Sequence, residues 1–284
     1  MTESIKLTEE WDTLLPLMVC PETHKPLTLE GGEFRGMAAG TSYSIYQGIP
    51  QFALFGSAEQ WGVAKPVETS ERYQQNYQLV KEAARYNQMY AKSLSKRWST
   101  RREYNLLRRL LASQPHCATL LDLPSGGGRL SPQIAEFTDL LIEADIALGQ
   151  VQYGREFARI KNTRQVWMTA SGFHIPFRDA SIDGIVCVRL NHHLPTPEER
   201  ERLVRELLRV SKRFVVMTFF DYHSFKNLGR RLRQPLDKKA PKMTMTLTRV
   251  RELANEGGFD LVAWPALSLF GSGHRYALMV KRSA

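Results

Sequence analysis

Apolar and polar positions follow three rhythms along the 284 residues. Up to about residue 56 the apolar runs are short and broken by turn formers, among them Pro21, Pro26, Gly31, Gly32, Gly40, Gly48 and Pro50. Residues 41–46 alternate one by one before Gly48, Ile49 and Pro50 break the run, which predicts a small β-rich module over residues 1–56. From Thr69 to Ala112 glycine and proline vanish, and Tyr73/Tyr77 and Tyr86/Tyr90 recur at the four-residue spacing of a helix face. Core packing is the plain reading of those tyrosines, and residues 57–115 are predicted to form a helical connector. After Pro115, apolar strand-like runs alternate with helical stretches through residue 284. Strands are expected at residues 118–123, 140–142 (running on to Asp145), 166–168, 182–188 and 214–219. Helices are expected at residues 197–211 and 246–256; Thr196 is placed to cap the first and Pro197 suits its first turn. Further apolar segments lie at residues 261–264 and 276–280. This alternation predicts an α/β fold with a doubly wound, mostly parallel sheet over residues 116–284.

Composition narrows the class. The apolar fraction is 43%, and no run approaches the ~20 residues needed to span a bilayer. The first ten residues are acidic and polar, unlike a secretory signal, so a cytoplasmic location is expected. Cys20, Cys117 and Cys187 are odd in number and far apart, which does not make a disulfide framework. A net charge of +10 favours polyanionic partners such as nucleic acid, a phosphorylated glycolipid or an anionic membrane face. Many enzymes are simply basic, so the location of the charge has to decide.

Candidate chemistry sits where the first strand of the third region ends. Asp122 leads into Leu123, Pro124, Ser125, Gly126, Gly127 and Gly128, and successive glycines let a backbone turn sharply and approach a ligand. Asp145 ends the next strand, 145 − 122 = 23 positions on, an interval suited to binding ribose hydroxyls. A dinucleotide dehydrogenase would use the same two features. The loop, however, reads Asp-x-Pro-x-Gly-x-Gly, not the G-x-G-x-x-G fingerprint.

The loop resembles the first motif of class I S-adenosylmethionine-dependent methyltransferases, Asp-x-Gly-x-Gly-x-Gly, with Pro124 in place of the first glycine. The likeness continues through Ser171, Gly172, Phe173, His174, Ile175, Pro176, Phe177 and on to Asp183, similar to the family's D-A-x-x-L-P-F-x-D-x-S-F-D. It extends to Asn191, His192, His193 and Leu194, and to Glu206, Leu207, Leu208, Arg209 and Val210. The whole is most similar to the ubiquinone-biosynthesis type of small methyltransferase. The resemblance implies a Rossmann-like, seven-stranded sheet, with the helical connector capping the cofactor site. It implies S-adenosylmethionine as cofactor, bordered by Asp122, Pro124, Ser125, Gly126, Gly127 and Gly128. Asp145 takes the ribose, Ile146 lies against the adenine, and Ser171 replaces an adenine-binding Asp. Gly172, Phe173 and Arg189 complete that set.

Methyl transfer is an in-line displacement that positioning can accelerate, and a hydroxyl or amine acceptor must also lose a proton. His192 and His193 are the candidates for base or acceptor contact; a purely structural hydrogen bond is the other reading. Phe219, Phe220, Tyr222, His223 and Phe225 are candidates for an apolar acceptor wall. Lys226, Arg230, Arg231, Arg233, Lys238, Lys239 and Lys242 follow, opposed only by Asp237, and read as a charged insert that contacts phosphates or is simply solvated.

Near the N-terminus, Cys20, Pro21 and His24, followed by residues 43–50 (YSIYQGIP), resemble the zinc-ribbon-like activator subunit of tRNA and rRNA methyltransferases. Thr23 replaces its second Cys and Gly36 and Ala39 stand near the second pair, so a metal-free version is expected. The function expected is methyl transfer to a small-molecule, lipid-linked or glycan acceptor, phosphorylated acceptors included, with peripheral membrane contact among its partners. An RNA methyltransferase and a non-catalytic scaffold on the same fold remain as alternatives.

Overall fold

A computed structural model describes residues 7, 9–36, 41–53, 80–81, 83–85, 94–233 and 243–283. Tyr73, Tyr77, Tyr86 and Tyr90 lie outside the described residues. The N-terminal part holds helix α1 (Glu9–Leu14) and strands β1 (Leu27–Glu30), β2 (Glu33–Gly36), β3 (Ser42–Tyr46) and β4 (Ile49–Pro50), in the antiparallel order β1-β2-β3-β4. Gly31 and Gly32 join β1 to β2 with φ of 61° and 81°, the two left-handed residues that a tight hairpin turn demands.

The rest is the predicted doubly wound unit. Helix α2 (Leu94–Ala112) precedes β5 (Cys117–Asp122), α3 (Ser131–Ile134), β6 (Thr138–Asp145), α4 (Leu148–Phe157) and β7 (Arg164–Thr169). Then follow β8 (Ile182–Cys187), α5 (Pro197–Val210), β9 (Ser211–Phe220), α6 (Phe225–Arg233), α7 (Leu247–Glu256), β10 (Phe259–Ala263) and β11 (His274–Lys281). The seven strands run β10-β11-β9-β8-β5-β6-β7. Five are parallel, and β11 pairs antiparallel with both β9 and β10. From β5 the chain steps outward to β6 and β7, then returns to β8 on the other side. Strand order therefore reverses at β5, and a crevice opens beyond the carboxyl ends of β5 and β8.

Both faces of this sheet are buried, which is why its strands read as continuous apolar runs. Leu121, Ile142, Ile185 and Val215 pack on one face; Leu120, Leu141, Val186 and Val216 pack on the other. Helix α5 begins as its sequence predicts. Thr196 Oγ1 accepts from the Glu199 N–H, and Glu199 Oε2 accepts from the Thr196 N–H, a reciprocal capping box.

Two placements depart from expectation. Residues 225–233 of the charged insert form helix α6; residues 234–242 lie outside the described residues. The small sheet also shares its core with the large one: Trp11, Leu14, Met18, Phe34 and Phe52 belong to the same apolar cluster as Met168 and Phe177. Backbone bonds join the two, from Phe52 N–H to the Thr169 carbonyl at 3.0 Å and from Val19 N–H to the Pro176 carbonyl at 3.1 Å. Among the described residues, no helix is long and apolar enough to cross a membrane.

Candidate functional site

Asp122 is the last residue of β5, flanked in register by Glu143 of β6 and Val186 of β8. The chain leaves it through a cis Leu123–Pro124 bond and is held by two backbone bonds, Leu123 N–H to Val186 O and Ser125 N–H to Ala144 O. Two of the three glycines take left-handed backbone, Gly126 at φ 55° and Gly128 at φ 74°. Their surroundings differ. A Cβ on Gly128 would lie 2.4 Å from Ala158 Cβ and 3.0 Å from the Trp167 ring, whereas one on Gly126 would meet nothing within 4 Å. Gly128 thus serves helix-to-sheet packing, and the open side of the loop is at Gly126.

The acids crowd this point. Asp122, Glu143 and Asp145 are all fully buried. Asp145 Oδ2 accepts from the Gly126 N–H at 3.0 Å and Oδ1 from the Ala147 N–H at 2.9 Å. Burial outweighs those bonds and pushes its pKa up to about 6. The Asp122 carboxyl has no hydrogen-bond partner among the described residues. Burial, with Glu143 and Asp145 beside it, holds it well above the usual carboxylate range, Arg129 opposing. Ser125 Oγ is buried and likewise unpartnered.

The other predicted cofactor residues gather at the same sheet edge. Ala170 N–H bonds to the Asp145 carbonyl, which sets residues 171–173 beside the loop. A Cβ on Gly172 would meet Leu203 and Leu190 at 2.9 and 3.1 Å and Leu123 at 3.9 Å, so this glycine lets three segments close together. Ser171 Oγ accepts from the Phe173 N–H, and the Arg202 guanidinium sits 5.3 Å above the Phe173 ring. Ile146 is half-buried. The resemblance motifs also interlock: Arg209 donates to the carbonyls of Phe177 and Ile175 and to Glu206, while Asp183 Oδ2 accepts from the Ala118 and Thr119 N–H groups. These residues build the scaffold.

Arg189 takes left-handed backbone at φ 68° and forms an ion pair not foreseen from the sequence. Glu103 of α2, buried to 1% exposure, accepts from Arg189 Nε at 2.8 Å and from Arg129 Nη1 at 2.7 Å. Burial alone would raise its pKa, but the two guanidiniums hold it below the usual range. The connector helix is thereby fastened to the ends of the glycine loop and β8. One signal existed: Glu103 is the only acid among the seven charged residues of 94–112 (KR, RRE and RR).

His192 and His193 lie on a single 3-10 turn after β8. The His192 ring packs 4.4 Å from Phe220 and 4.7 Å from His274, with His193 at 4.3 Å. His274 opens β11 directly opposite Phe220, a pairing no local pattern announces. Burial, then Arg189 nearby, lowers its pKa to about 4, so it is neutral at pH 7. The expected acceptor wall is corrected in part. Phe219 is fully buried in the core, facing away from Phe220, because successive strand residues point to opposite faces. Tyr222, His223 and Phe225 are exposed beyond the strand.

In the small sheet, Cys20 Sγ lies 3.2 Å from the Tyr43 hydroxyl and 4.0 Å from Thr41 Oγ1, and a Cβ on Gly36 would lie 2.6 Å from that Oγ1. Among the described residues no group of three or more His, Cys, Asp or Glu is placed to hold a metal.

The residues present fit S-adenosylmethionine: an open loop face at Gly126, an unpartnered buried hydroxyl at Ser125, and buried carboxyls where a sulfonium and an ammonium could be matched. Comparison with known proteins agrees. Residues 121–216 match the family described as a methyltransferase domain. No curated protein sequence matches the chain. Among solved structures, magnesium protoporphyrin IX methyltransferase from Synechocystis PCC 6803 with bound S-adenosylhomocysteine is 15% identical, with a TM-score of 0.61 over 74% of this chain and 99% of that one. A complex of the Haloferax volcanii Trm112 methyltransferase activator with a methyltransferase gives 13% and 0.52, over 72% and 97%. The N-methyltransferase NodS from Bradyrhizobium japonicum gives 11% and 0.51, over 69% and 91%. At such identities the likeness is one of fold. Residues 121–216 match the methyltransferase-domain family, and the sheet that carries them has the fold of S-adenosylmethionine-dependent methyltransferases.

Proposed function

We propose that the chain methylates a small-molecule, lipid-linked or glycan acceptor seated against Phe220, His192 and His274. The observation that carries the cofactor half of this reading is Gly126, left-handed and open, between the buried carboxyls of Asp122 and Asp145 at the point where strand order reverses. When bound, S-adenosylmethionine supplies a methyl group on a positively charged sulfur. Pro124, Ser125, Gly126, Gly127 and Gly128 line its methionine end, and the Ser125 hydroxyl gains a partner there. Each Asp145 oxygen accepts one backbone N–H and keeps a lone pair for a ribose hydroxyl. Ile146, Ser171, Gly172 and Phe173 border the adenine. Arg189, engaged with Glu103, positions the end of β8.

On the acceptor side, His192 and Phe220 offer an apolar surface, and His193, more exposed, stands ready to take a proton from an acceptor hydroxyl or amine. Titration calorimetry with S-adenosylmethionine and S-adenosylhomocysteine tests the cofactor half. No detectable heat with either would leave only a non-catalytic scaffold. Transfer of labelled methyl into fractionated cell extract then identifies the acceptor, and unchanged turnover in His192→Ala and His193→Ala would remove both from the chemistry. A second reading, RNA as acceptor, draws on the four cations of α6; RNA retention that weakens steeply with salt would carry it.

A further inference from the structure

Helix α6 carries Lys226, Arg230, Arg231 and Arg233 and no acid in nine residues. Its inner side is pinned by Asn227, buried to 2% exposure, whose Nδ2 donates to the Asp221 carbonyl at 2.8 Å. Phe225, Leu228 and Leu232, at i, i+3 and i+7, form one stripe along an outer side. They are 61%, 43% and 73% exposed. A second element extends the stripe. Phe270 stacks on Phe225 with centroids 5.3 Å apart, and Lys226 Nζ donates to the Gly271 carbonyl, which clamps the loop before β11 to the helix. Leu269 and Phe270 are themselves 65% and 73% exposed. Single exposed apolar residues are ordinary, but five side chains on two clamped elements form a patch.

We infer that this face, helix α6 with residues 269–271, seats on the surface of an anionic bilayer. An exposed apolar stripe flanked by cations is the pattern of a helix that lies in the lipid headgroup region, its apolar side among acyl chains and its cations among phosphates. Charge selects this occupant over a second copy of the chain, which would set four cations against four. The place in the fold matters as well. Helix α6 starts five residues after Phe220, and the Arg230 guanidinium lies 5.8 Å from the Phe220 ring, so the docked face brings the aromatic and histidine wall to the membrane. Docking itself needs neither cofactor nor acceptor; vesicle binding and methyl transfer therefore fail independently.

Co-sedimentation of the full chain with phosphatidylcholine vesicles, with and without phosphatidylglycerol, tests the inference. Binding is expected only with phosphatidylglycerol, and it weakens as salt is raised. Arg231→Gln should weaken it about fivefold, the equivalent of about 1 kcal/mol per charge. Leu232→Glu with Phe270→Glu, both on the outermost side chains, should abolish it while circular dichroism and melting temperature stay as in the unsubstituted chain. No binding to anionic vesicles would overturn the inference, as would binding that survives the double substitution. Two further results would also overturn it: a dimer in sedimentation velocity that the double substitution dissociates, without vesicle binding, and retention on RNA that only Arg231→Gln weakens.

Discussion

Gly126 and Gly128 are two positions apart and share a left-handed backbone, yet alanine should act mainly on cofactor binding at the first and on stability at the second. A non-glycine residue in that conformation costs roughly 1–2 kcal/mol. At Gly126 nothing else is added, because a Cβ there meets no atom within 4 Å. At Gly128 the Cβ would stand 2.4 Å from Ala158 Cβ, an atom fixed to backbone, and 3.0 Å from Trp167, itself 5% exposed. Overpacking of that kind adds about 1–3 kcal/mol, so Gly128→Ala should cost about 2–5 kcal/mol in total. Urea denaturation reads both costs, with an unchanged slope confirming that only stability has moved. Calorimetry with S-adenosylhomocysteine reads the other half. Gly126→Ala should weaken binding about tenfold or more, since the added methyl occupies the open side of the loop, equivalent to about 1.4 kcal/mol. Unaltered affinity in Gly126→Ala would refute the placement of the cofactor. Equal midpoints for the two variants would refute the packing role of Gly128.

Three more outcomes are expected. Asp145 has an ordinary pKa of 3.8 and about 6 in the fold, so the folded chain binds its proton more tightly than the unfolded one. Stability from this group is therefore full below 3.8 and falls by about 3 kcal/mol as pH rises to about 6; Asp145→Asn should flatten that slope, and an unchanged profile would contradict the assignment. Glu103→Gln leaves Arg129 and Arg189 facing a neutral amide and should cost about 3–5 kcal/mol by urea denaturation, since one half of a buried ion pair is removed. Because the folded Glu103 pKa is lowered, this support holds at neutral pH and fades in acid, so the gap between the two chains should narrow as pH falls. Thr196→Ala should cost about 1 kcal/mol, and adding Glu199→Ala should cost less than the sum of the singles, because both halves belong to one capping box.

The features legible in the sequence are those carried by local signals. The start of α5 was written in Thr196, Pro197 and Glu199, and the parallel strands in runs such as 182–187, because burial on both faces leaves no polar alternation. The glycine loop and Asp145 were legible for the same reason: a strand, a turn and an acid follow each other within one unit. What escaped depends on long-range pairing. Glu103 meets Arg189 across 86 positions, and His274 reaches His192 only because β11 runs antiparallel beside β9. Helix α6 was obscured by its charge. Its cations read as an insert that contacts phosphates or is simply solvated, although Phe225, Leu228 and Leu232 already stood at helical spacing.

The bond between Phe52 and Thr169 has a consequence for how the protein can be handled. Strand β7 ends the seven-stranded row, and a bare outer strand with Val166, Trp167 and Met168 would offer its carbonyls to any other extended chain. Residues 51–52 cover the end of that strand, and Trp11, Leu14 and Met18 lie over the apolar side chains beneath it. Trimming the first 53 residues to obtain a minimal catalytic fragment would uncover both at once. Such a fragment would be sticky at its rim and hollow at its centre, so the part that looks most dispensable is what keeps the protein from joining its neighbours.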